Sequence, residues 1–284
     1  MDKCVVCGQQ DNNKAIFRED GIDILRCLNC GHVYSSYDAP ENDAGYFGAD
    51  IGLQDHFWWR EAHERMYRDF GRRFLAGKSG RLLDVGCGLG YFVKFVSEWP
   101  GWEAYGSEIS VPAAEFAKKE LGLESVIAGE VQSAGFEKKS WDVITLWDVI
   151  EHVPDPHSLL KFLNSILKDD GVLFIHTPNI KIQLPKARLK KLIIGEKPGA
   201  HYLEAKDHVN VYSARSLSAV LAANGFNGIN FVHLRPIQSV AGSKNVFLRV
   251  IKNSWFYFAK FIGLITGNRV NIDNLFVIAR KSGN

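Results

Sequence analysis

The chain has 284 residues, 46% of them hydrophobic, which is enough for one sizeable core and a small appendage. Its 34 Lys and Arg residues nearly balance 32 Asp and Glu residues, and a net charge of +2 is not typical of a protein built to coat nucleic acid. The sequence has no run of roughly 18 apolar residues and no apolar stretch at its start, so we expect a cytoplasmic protein whose membrane contact would be peripheral.

Four of the five cysteines form two equally spaced pairs, Cys4-x-x-Cys7 and Cys27-x-x-Cys30. The stretches between them have strand character, with Asp20-Gly21 as a turn. Four thiolates would close the tetrahedral shell of one zinc ion, which makes the metal structural. Two disulfides are the alternative, which a reducing cytoplasm disfavours. The sequence predicts a zinc ribbon over residues 1–37 that could grip nucleic acid, hold a substrate or cap the next domain.

A linker and N-terminal helix region is expected over residues 38–78, and a larger α/β domain over residues 79–284. The domain opens with the sequence LLDVGCGLGYFVKFV, which predicts a strand, a glycine loop and a helix. Gly86, Gly88 and Gly90 let backbone amides approach a ligand at the helix N-terminus. Glu108 ends the next predicted strand about 20 residues later, where an acidic side chain suits a ribose diol.

Strands and helices then alternate along the chain, which predicts a doubly wound parallel sheet. Ligands of such sheets gather at the carboxyl ends of the strands. Asp84, Glu108, Glu130 and Asp148 all lie at predicted strand ends.

Five ordered motifs, LLDVGCGLGYF, YGSEIS, AGEV, WDVITLWDVIEHVPDP and GVLFIHTPN, resemble those of class I S-adenosylmethionine-dependent methyltransferases. The subgroup they resemble most is the ubiquinone-pathway O-methyltransferases. The resemblance covers residues 80–235 and implies a Rossmann-like, seven-stranded, mostly parallel sheet whose last strand is antiparallel.

The resemblance also implies a set of positions that bind the cofactor: Asp84, Gly86, Gly88, Gly90, Glu108, Ile109, Glu130, Val131 and Trp147. Asp84 and the glycines would surround the methionine part, and Glu108 would bind both ribose hydroxyls. Ile109, Glu130 and Val131 would contact adenine, although Glu130 stands where aspartate is usual. Trp147 would lie near the methyl donor.

An acidic and histidine-rich stretch, LWDVIEHVP over residues 146–154, follows the fourth strand. Asp148, Glu151 and His152 would share one face of a short helical turn. They could hold the loop, or His152 could be a general base for the acceptor hydroxyl, or the group could bind a catalytic divalent cation. The last interpretation resembles the metal site of small-RNA 2′-O-methyltransferases, in which His208 would be the further ligand and Asp148 replaces a glutamate. Imidazole ligands suit manganese, iron or zinc better than magnesium.

The expected acceptor is a small molecule, a sugar, phenol or quinone-like ring, methylated on oxygen. Its pocket would be formed by residues 46–59, with Tyr46, Trp58 and Trp59, by the 178–210 insertion and by the 151–156 loop. The basic cluster over residues 181–197, with a net charge of +5, is either a solvated face or a site for an anionic group. An RNA methyltransferase that uses the ribbon as its grip, and a cofactor-binding module without catalysis, are the alternatives.

Overall fold

The structure is a computed structural model that describes residues 3–37, 57–197, 199–237, 246–267 and 271–282. The strands are β1 Asn13–Glu19, β2 Ile22–Cys27, β3 Val33–Ser35, β4 Gly80–Val85, β5 Trp102–Glu108, β6 Val126–Ala128, β7 Trp141–Trp147, β8 Leu167–Thr177, β9 Asn210–Val211, β10 Phe226–Val232 and β11 Leu275–Lys281. The helices are α1 Glu64–Phe70, α2 Tyr91–Ser97, α3 Val111–Leu121, α4 Pro156–Ile166, α5 Ile180–Ile194, α6 Ala214–Ala223 and α7 Val246–Ile265.

Seven strands form the main sheet in the order β10-β11-β8-β7-β4-β5-β6. Strands β4 to β8 pair in parallel, while β11 runs antiparallel to both of its neighbours. The predicted fold class, a doubly wound sheet with an antiparallel last strand, is therefore confirmed.

Alternate residues of the central strands enter cores on opposite faces of the sheet. On β7, Ile144 packs with helices α4 and α6 on one face, whereas Val143 packs on the other face with α1, α2 and α3. Because both faces are covered, strand sequences such as RLLDV and WDVITLW are nearly continuously apolar. Because β4 pairs in parallel with β5 and with β7, the carboxyl ends of these three strands meet at one edge of the sheet.

The N-terminal residues form a second, four-stranded sheet in the order β1-β2-β3-β9. Asp20 and Gly21 turn between β1 and β2 with positive φ angles of 48° and 81°, as the Asp-Gly sequence predicts. The fourth strand, β9, comes from the second half of the chain, and Val33 is paired with Val211. The division at residues 37 and 78 stays a prediction, and the ribbon sheet incorporates a strand from the region assigned to the larger domain.

Residues 255–265, an apolar stretch of the sequence, belong to α7. This helix buries Phe256 and Ala259 and leaves most of its other described apolar side chains exposed. No helix among the described residues has both the length and the apolar character to cross a bilayer.

Candidate active site and metal centres

The glycine loop after β4 adopts backbone conformations that suit glycine. Gly86, Gly88 and Gly90 have φ angles of 69°, 54° and 81°. A Cβ atom at Gly86 would lie 2.6 Å from Val149 Cγ2, and one at Gly90 would lie 2.8 Å from Ala117 Cβ. The loop is therefore tightly packed, and the backbone N–H groups of Gly86 and Cys87 donate to the carbonyl of Ser107 on β5 at 2.8 and 3.1 Å.

Glu108 lies at the end of β5 and fastens this loop. Its Oε2 accepts the backbone N–H of Gly88 at 2.7 Å, and its Oε1 accepts that of Ser110 at 2.9 Å. Burial raises the pKa of the carboxyl, and these amide bonds partly offset the rise. Each oxygen keeps a second lone pair, so the carboxylate can also accept hydrogen bonds from a diol.

The positions assigned to adenine lie beside Glu108. Ile109 is 61% exposed at the end of β5, Glu130 is exposed and Val131 is buried. The pairing of Glu108 with Ala128 brings the end of β6 to the same edge. An apolar side chain next to a carboxylate and a glycine loop fits a nucleoside with a ribose diol.

Asp84 is a buried carboxyl behind the glycine loop. Its Oδ1 accepts a hydrogen bond from Thr145 Oγ1 at 2.6 Å. Burial raises the pKa of Asp84 to about 8; the Thr145 bond acts against the rise and the charge of Glu108 adds to it. A pKa of about 8 favours the protonated form of Asp84 at neutral pH.

Asp84 is expected to make the fold less stable as pH rises. Its folded pKa of about 8 exceeds the ordinary 3.8, so between these values the folded chain holds a proton that the unfolded chain has lost. The unfolding free energy then falls by up to about 1.4 kcal/mol per pH unit. Asp84→Asn keeps the acceptor for Thr145 and cannot ionise, so its stability relative to wild type should rise from pH 5 to pH 8 in denaturant titrations. A constant difference across that range would contradict the assignment.

Trp147, at the end of β7, is buried in a cluster of aromatic rings. Its indole packs edge-on against Tyr67, Phe70 and Phe92 at centroid distances of 5.0–5.6 Å. It also lines a small recess with Tyr67, Asp84, Gly86, Cys87, Leu89, Tyr91 and Phe92. Trp147 thus forms a wall beside the glycine loop, and its Nε1 has no hydrogen-bond partner among the described residues.

Asp148 follows in a left-handed conformation, with φ 52°. Its Oδ1 lies 3.0 Å from Nδ1 of His176, a buried residue of β8 stacked on Phe276. Burial alone would raise the pKa of Asp148, but the neighbouring His176 lowers it. Asp148 therefore turns to β8 and does not join Glu151 and His152.

Glu151, His152 and His208 come together although 55 residues separate the two histidines. One ligand atom from each residue lies within 4.8 Å of the others, a geometry that could hold a metal ion. Glu151 and His152 lie in the single 3₁₀ turn Ile150–His152, the brief turn that the sequence predicts, and Asp155 caps the following helix through His157 and Ser158.

Hydrogen bonds orient the first two of these side chains. Nδ1 of His152 lies 2.8 Å from the carbonyl oxygen of Asp207. Because a carbonyl oxygen only accepts hydrogen bonds, Nδ1 carries the proton, and Nε2 of the neutral ring keeps its lone pair. Oε2 of Glu151 accepts from Thr177 Oγ1 at 2.9 Å, while its buried Oε1 has no partner among the described residues. Burial raises the pKa of Glu151 and lowers that of His152, so both favour their neutral forms without a cation.

Glu204 is a candidate that sequence reasoning missed. Its Oε2 lies 3.2 Å from Nε2 of His208, four residues further along the chain. The Glu-x-x-x-His spacing was the signal available in the sequence. It indicates a site only together with the fold, which brings the ring centroid of His208 to 4.9 Å from that of His152.

The four paired cysteines converge at one end of the ribbon. The Sγ atoms of Cys4 and Cys30 are 3.5 Å apart, those of Cys7 and Cys27 are 3.6 Å apart, and all four lie within 4.8 Å of one another. Tetrahedral Zn–S bonds of about 2.3 Å place sulfur atoms about 3.8 Å apart, so the donor set fits zinc. Burial would raise the pKa of Cys7, but hydrogen bonds from Asn29 and Gln9 outweigh it and lower the pKa to about 6.

The fifth cysteine, Cys87, is buried in the glycine loop, and burial raises the pKa of its thiol well above the ordinary range. It behaves as a small core residue and not as a nucleophile. His201 is exposed, as expected of a loop histidine.

The basic cluster 181–197 belongs largely to α5 and has intramolecular partners. Arg188 donates to the carbonyl of Ile16, Lys190 to that of Ala200, and Lys191 to that of Arg18. Two of these basic side chains, Arg188 and Lys191, therefore hydrogen-bond α5 to the ribbon. Of the predicted acceptor pocket, Tyr46 and the side chains of Trp58 and Trp59 lie outside the described residues.

Comparisons with known proteins agree with this geometry. A family described as "Methyltransferase domain" matches residues 58–230. The ubiquinone biosynthesis O-methyltransferase of Bordetella avium is 27% identical over 186 residues, which is 61% of this chain and 75% of that protein. The enzyme of that name from Actinobacillus pleuropneumoniae serotype 5b is 36% identical over 114 residues, covering 37% and 47%.

Two solved structures share the fold at low sequence identity. Phosphoethanolamine N-methyltransferase 2 of Haemonchus contortus, in complex with S-adenosyl-L-methionine, has a TM-score of 0.52 at 18% identity, covering 78% of this chain and 53% of that one. A SAM-dependent methyltransferase from Thermotoga maritima has a TM-score of 0.53 at 18% identity, covering 80% and 92%.

Proposed function

This chain belongs to the methyltransferase domain family and is a class I S-adenosylmethionine-dependent methyltransferase, and we propose that it methylates a hydroxyl oxygen of a small phenolic or quinone-like molecule. The observation that carries the proposal is the group formed by Glu151, His152 and His208, which follows the strand that ends beside the glycine loop. The ubiquinone O-methyltransferases among its relatives support the acceptor class.

S-adenosylmethionine supplies a methyl group on a positively charged sulfur. The acceptor oxygen forms the new C–O bond as the C–S bond breaks in line, and the sulfur leaves as a neutral thioether. The hydroxyl must also lose its proton, to Nε2 of His152 or to solvent, so groups that favour the oxyanion accelerate the reaction. In this proposal Glu108 and the glycine loop hold the donor, and Glu151, His152 and His208 lie on the acceptor side.

For these three residues, a metal-binding role is better supported than a general base alone. A buried carboxylate oxygen that has no hydrogen-bond partner among the described residues, next to two imidazoles, is costly unless a cation or a proton satisfies it. A divalent cation held there would lower the pKa of the acceptor hydroxyl and fix its position. One carboxylate and two imidazoles favour manganese, iron or zinc over magnesium.

We further propose that Cys4, Cys7, Cys27 and Cys30 bind one structural zinc ion. The RNA alternative has less support, because the basic residues of positions 1–37 are only Lys3, Lys14, Arg18 and Arg26, and Arg18 lies 3.7 Å from Asp23. A small-molecule acceptor therefore remains the favoured partner.

A methyl-transfer assay tests the proposed function. Purified protein with labelled S-adenosylmethionine is offered catechols, hydroquinols, simple sugars and RNA, with and without added Mn²⁺, and products are located by mass spectrometry. We expect label on a phenolic oxygen and stimulation by Mn²⁺. Label on carbon or nitrogen, or on RNA alone, would refute the assignment.

Glu108→Ala should weaken S-adenosylhomocysteine binding by about 1.5–3 kcal/mol, because the variant loses charge-assisted hydrogen bonds to the ribose and releases Gly88. Isothermal titration calorimetry measures the effect. Glu103→Ala is the matched control, since Glu103 is an exposed carboxylate on the same strand that contacts Arg81. Equal affinity for both variants would exclude Glu108 from the cofactor site.

A further inference from the structure

The ribbon holds the loop that carries His208. Residues 202–211 contain Glu204 and His208, and β9 is the only regular element within them. Such a loop needs outside partners if it is to keep one histidine beside two residues of a distant turn. The described partners come largely from the ribbon.

Glu19, the last residue of β1, is the central contact. It is 4% exposed, and its carboxylate faces the backbone of residues 202–205 in the loop. Its Oε1 accepts the backbone N–H of Tyr202 at 2.6 Å, and its Oε2 accepts those of Leu203 at 2.8 Å and Ala205 at 3.3 Å. Three amides on one buried carboxylate fix the backbone on both sides of Glu204.

Ser35 of β3 adds a second contact. Its hydroxyl donates to the carbonyl of Ala205 at 2.6 Å, and its backbone N–H donates to that of Val209 at 3.0 Å. His208 thus lies between two residues whose carbonyls are bonded to the ribbon.

A third contact reaches the other half of the site. His32 Nε2 lies 3.0 Å from Asn210 Oδ1, and Asn210 Nδ2 donates to the carbonyl of Val153 at 2.8 Å. Val153 directly follows His152. One ribbon residue is therefore linked through one amide side chain to the turn that carries Glu151 and His152.

We propose that Glu19 is a positioning residue, and that the ribbon serves to align His208 with Glu151 and His152. The inference deepens the proposed metal site and rests on it. It assigns the ribbon a place in the acceptor side of the site instead of a separate grip on nucleic acid.

The test uses the full chain with its ribbon zinc bound and Mn²⁺ as the probe. Glu19→Gln leaves one acceptor oxygen and turns an NH₂ group towards backbone donors. We expect Mn²⁺ affinity to fall about 10–100-fold, the range seen when groups that orient metal ligands are replaced. Hydrogen exchange at residues 202–205 should accelerate, whereas zinc content and S-adenosylhomocysteine affinity should not change.

Asp23→Asn is the matched control, because Asp23 is a half-buried ribbon carboxylate whose Oδ1 lies 3.7 Å from Nε of Arg18. Should Glu19→Gln lose its zinc, Ser35→Ala removes the hydroxyl bond to Ala205 and leaves Glu19 intact. If wild type binds no Mn²⁺, the metal proposal fails, and the exchange rates alone decide the role of Glu19. Unchanged exchange in both Glu19→Gln and Ser35→Ala would overturn the positioning role.

Helix α7 carries an independent inference. Eight of its large apolar side chains are each 44–79% exposed: Val250, Ile251, Trp255, Tyr257, Phe258, Phe261, Leu264 and Ile265. A helix that is apolar beyond its buried face needs an apolar partner.

The charge around α7 indicates what that partner is. Residues 235–272 contain six basic residues and no acidic residue: Arg235, Lys244, Arg249, Lys252, Lys260 and Arg269. Of these six, the described side chains Arg235 and Lys260 are exposed. A symmetric dimer through α7 would bring the net positive charge of this stretch close to that of its own copy, which is unfavourable. Exposed aromatic rings in a stretch of sequence that is basic and free of acidic residues suit the interface of an anionic bilayer.

We infer that α7 docks on anionic phospholipid membranes, lying in the interface without crossing it. In flotation assays the protein should bind vesicles of phosphatidylcholine with 30% phosphatidylglycerol and remain unbound with phosphatidylcholine alone. Ile251→Ser/Trp255→Ser/Phe258→Ser, which alters exposed positions four and three residues apart, should reduce the bound fraction at least about tenfold.

Leu28→Ser is the control, because Leu28 is an exposed apolar residue of the ribbon. Failure of the wild-type protein to bind the anionic vesicles would overturn the inference. So would light scattering that shows a dimer which the triple variant converts to a monomer, since α7 would then contact a second copy.

Discussion

Glu151→Ala and His152→Ala are each expected to reduce methyl transfer by about 10²–10⁴-fold, with S-adenosylhomocysteine affinity within a few-fold of wild type. In the proposed function both side chains belong to the acceptor side, and their described hydrogen bonds go to Asp207 and Thr177, outside the glycine loop and Glu108. The loss should therefore appear in turnover and not in cofactor binding. Steady-state kinetics and calorimetry on the same preparations measure the two effects.

His208→Ala separates the two chemical roles of His152. If the three residues bind a cation, His208→Ala should match His152→Ala, and a chelator should abolish wild-type activity until Mn²⁺ is restored. If His152 is a general base, His208→Ala should be mild, and the loss in His152→Ala should shrink as pH approaches the pKa of the acceptor. The zinc proposed for the ribbon must be shown to remain bound during chelation.

His201→Ala is the control for this series, because His201 is an exposed histidine of the same segment. It should retain full turnover. Full turnover in both Glu151→Ala and His152→Ala would leave these residues with only a structural role.

The sheet and its glycine loop could be predicted because their signals are local. Strand sequences such as LLDV and VLFI are short and apolar. Gly86 and Gly90 have positive φ angles and neighbours that leave no room for a Cβ atom, so both positions favour glycine. Parallel strands then bring their carboxyl ends together without further information. The order of motifs along the chain was therefore enough to locate Glu108 beside the loop.

The acceptor side depends on conformations and contacts that spacing does not encode. The positions of Asp148, Glu151 and His152 predict a shared helical face, but the left-handed backbone at Asp148 turns its carboxylate to His176. Glu19 meets its three amides across more than 180 residues of sequence. Such a contact leaves no periodic pattern, and it becomes visible only when β3 is found paired with β9.

Cys27→Ser is expected to release the proposed ribbon zinc and destabilise β1 to β3. Among the described residues, the cluster at the four cysteines has Cys4, Cys27 and Tyr34 as its buried members, so little core would hold this end of the ribbon without the ion. Ile24 and Val33 belong to a separate buried cluster shared with α5 and residues 202–211, so the ribbon should loosen from its cysteine end. Zinc binding by small domains is worth about 10–16 kcal/mol of apparent free energy, which is larger than the contribution of such a cluster. Metal analysis should give one zinc per chain in wild type and none in the variant.

The increase in hydrogen exchange should extend beyond the ribbon, as expected of a zinc ion that stabilises the fold and not of an ion bound without structural effect. β3 pairs with Asn210 and Val211, and Ser35 and Glu19 bond residues 202–209, so hydrogen exchange in Cys27→Ser should rise in both segments. Exchange in β4 and β5 should not change, because those strands pack in the cores of the main sheet. Cys87→Ser should keep its zinc, since Cys87 lies in the glycine loop and outside the cysteine group. Stoichiometric zinc in Cys27→Ser, or a reduced wild-type protein that is folded without zinc, would show that the cysteines serve another purpose.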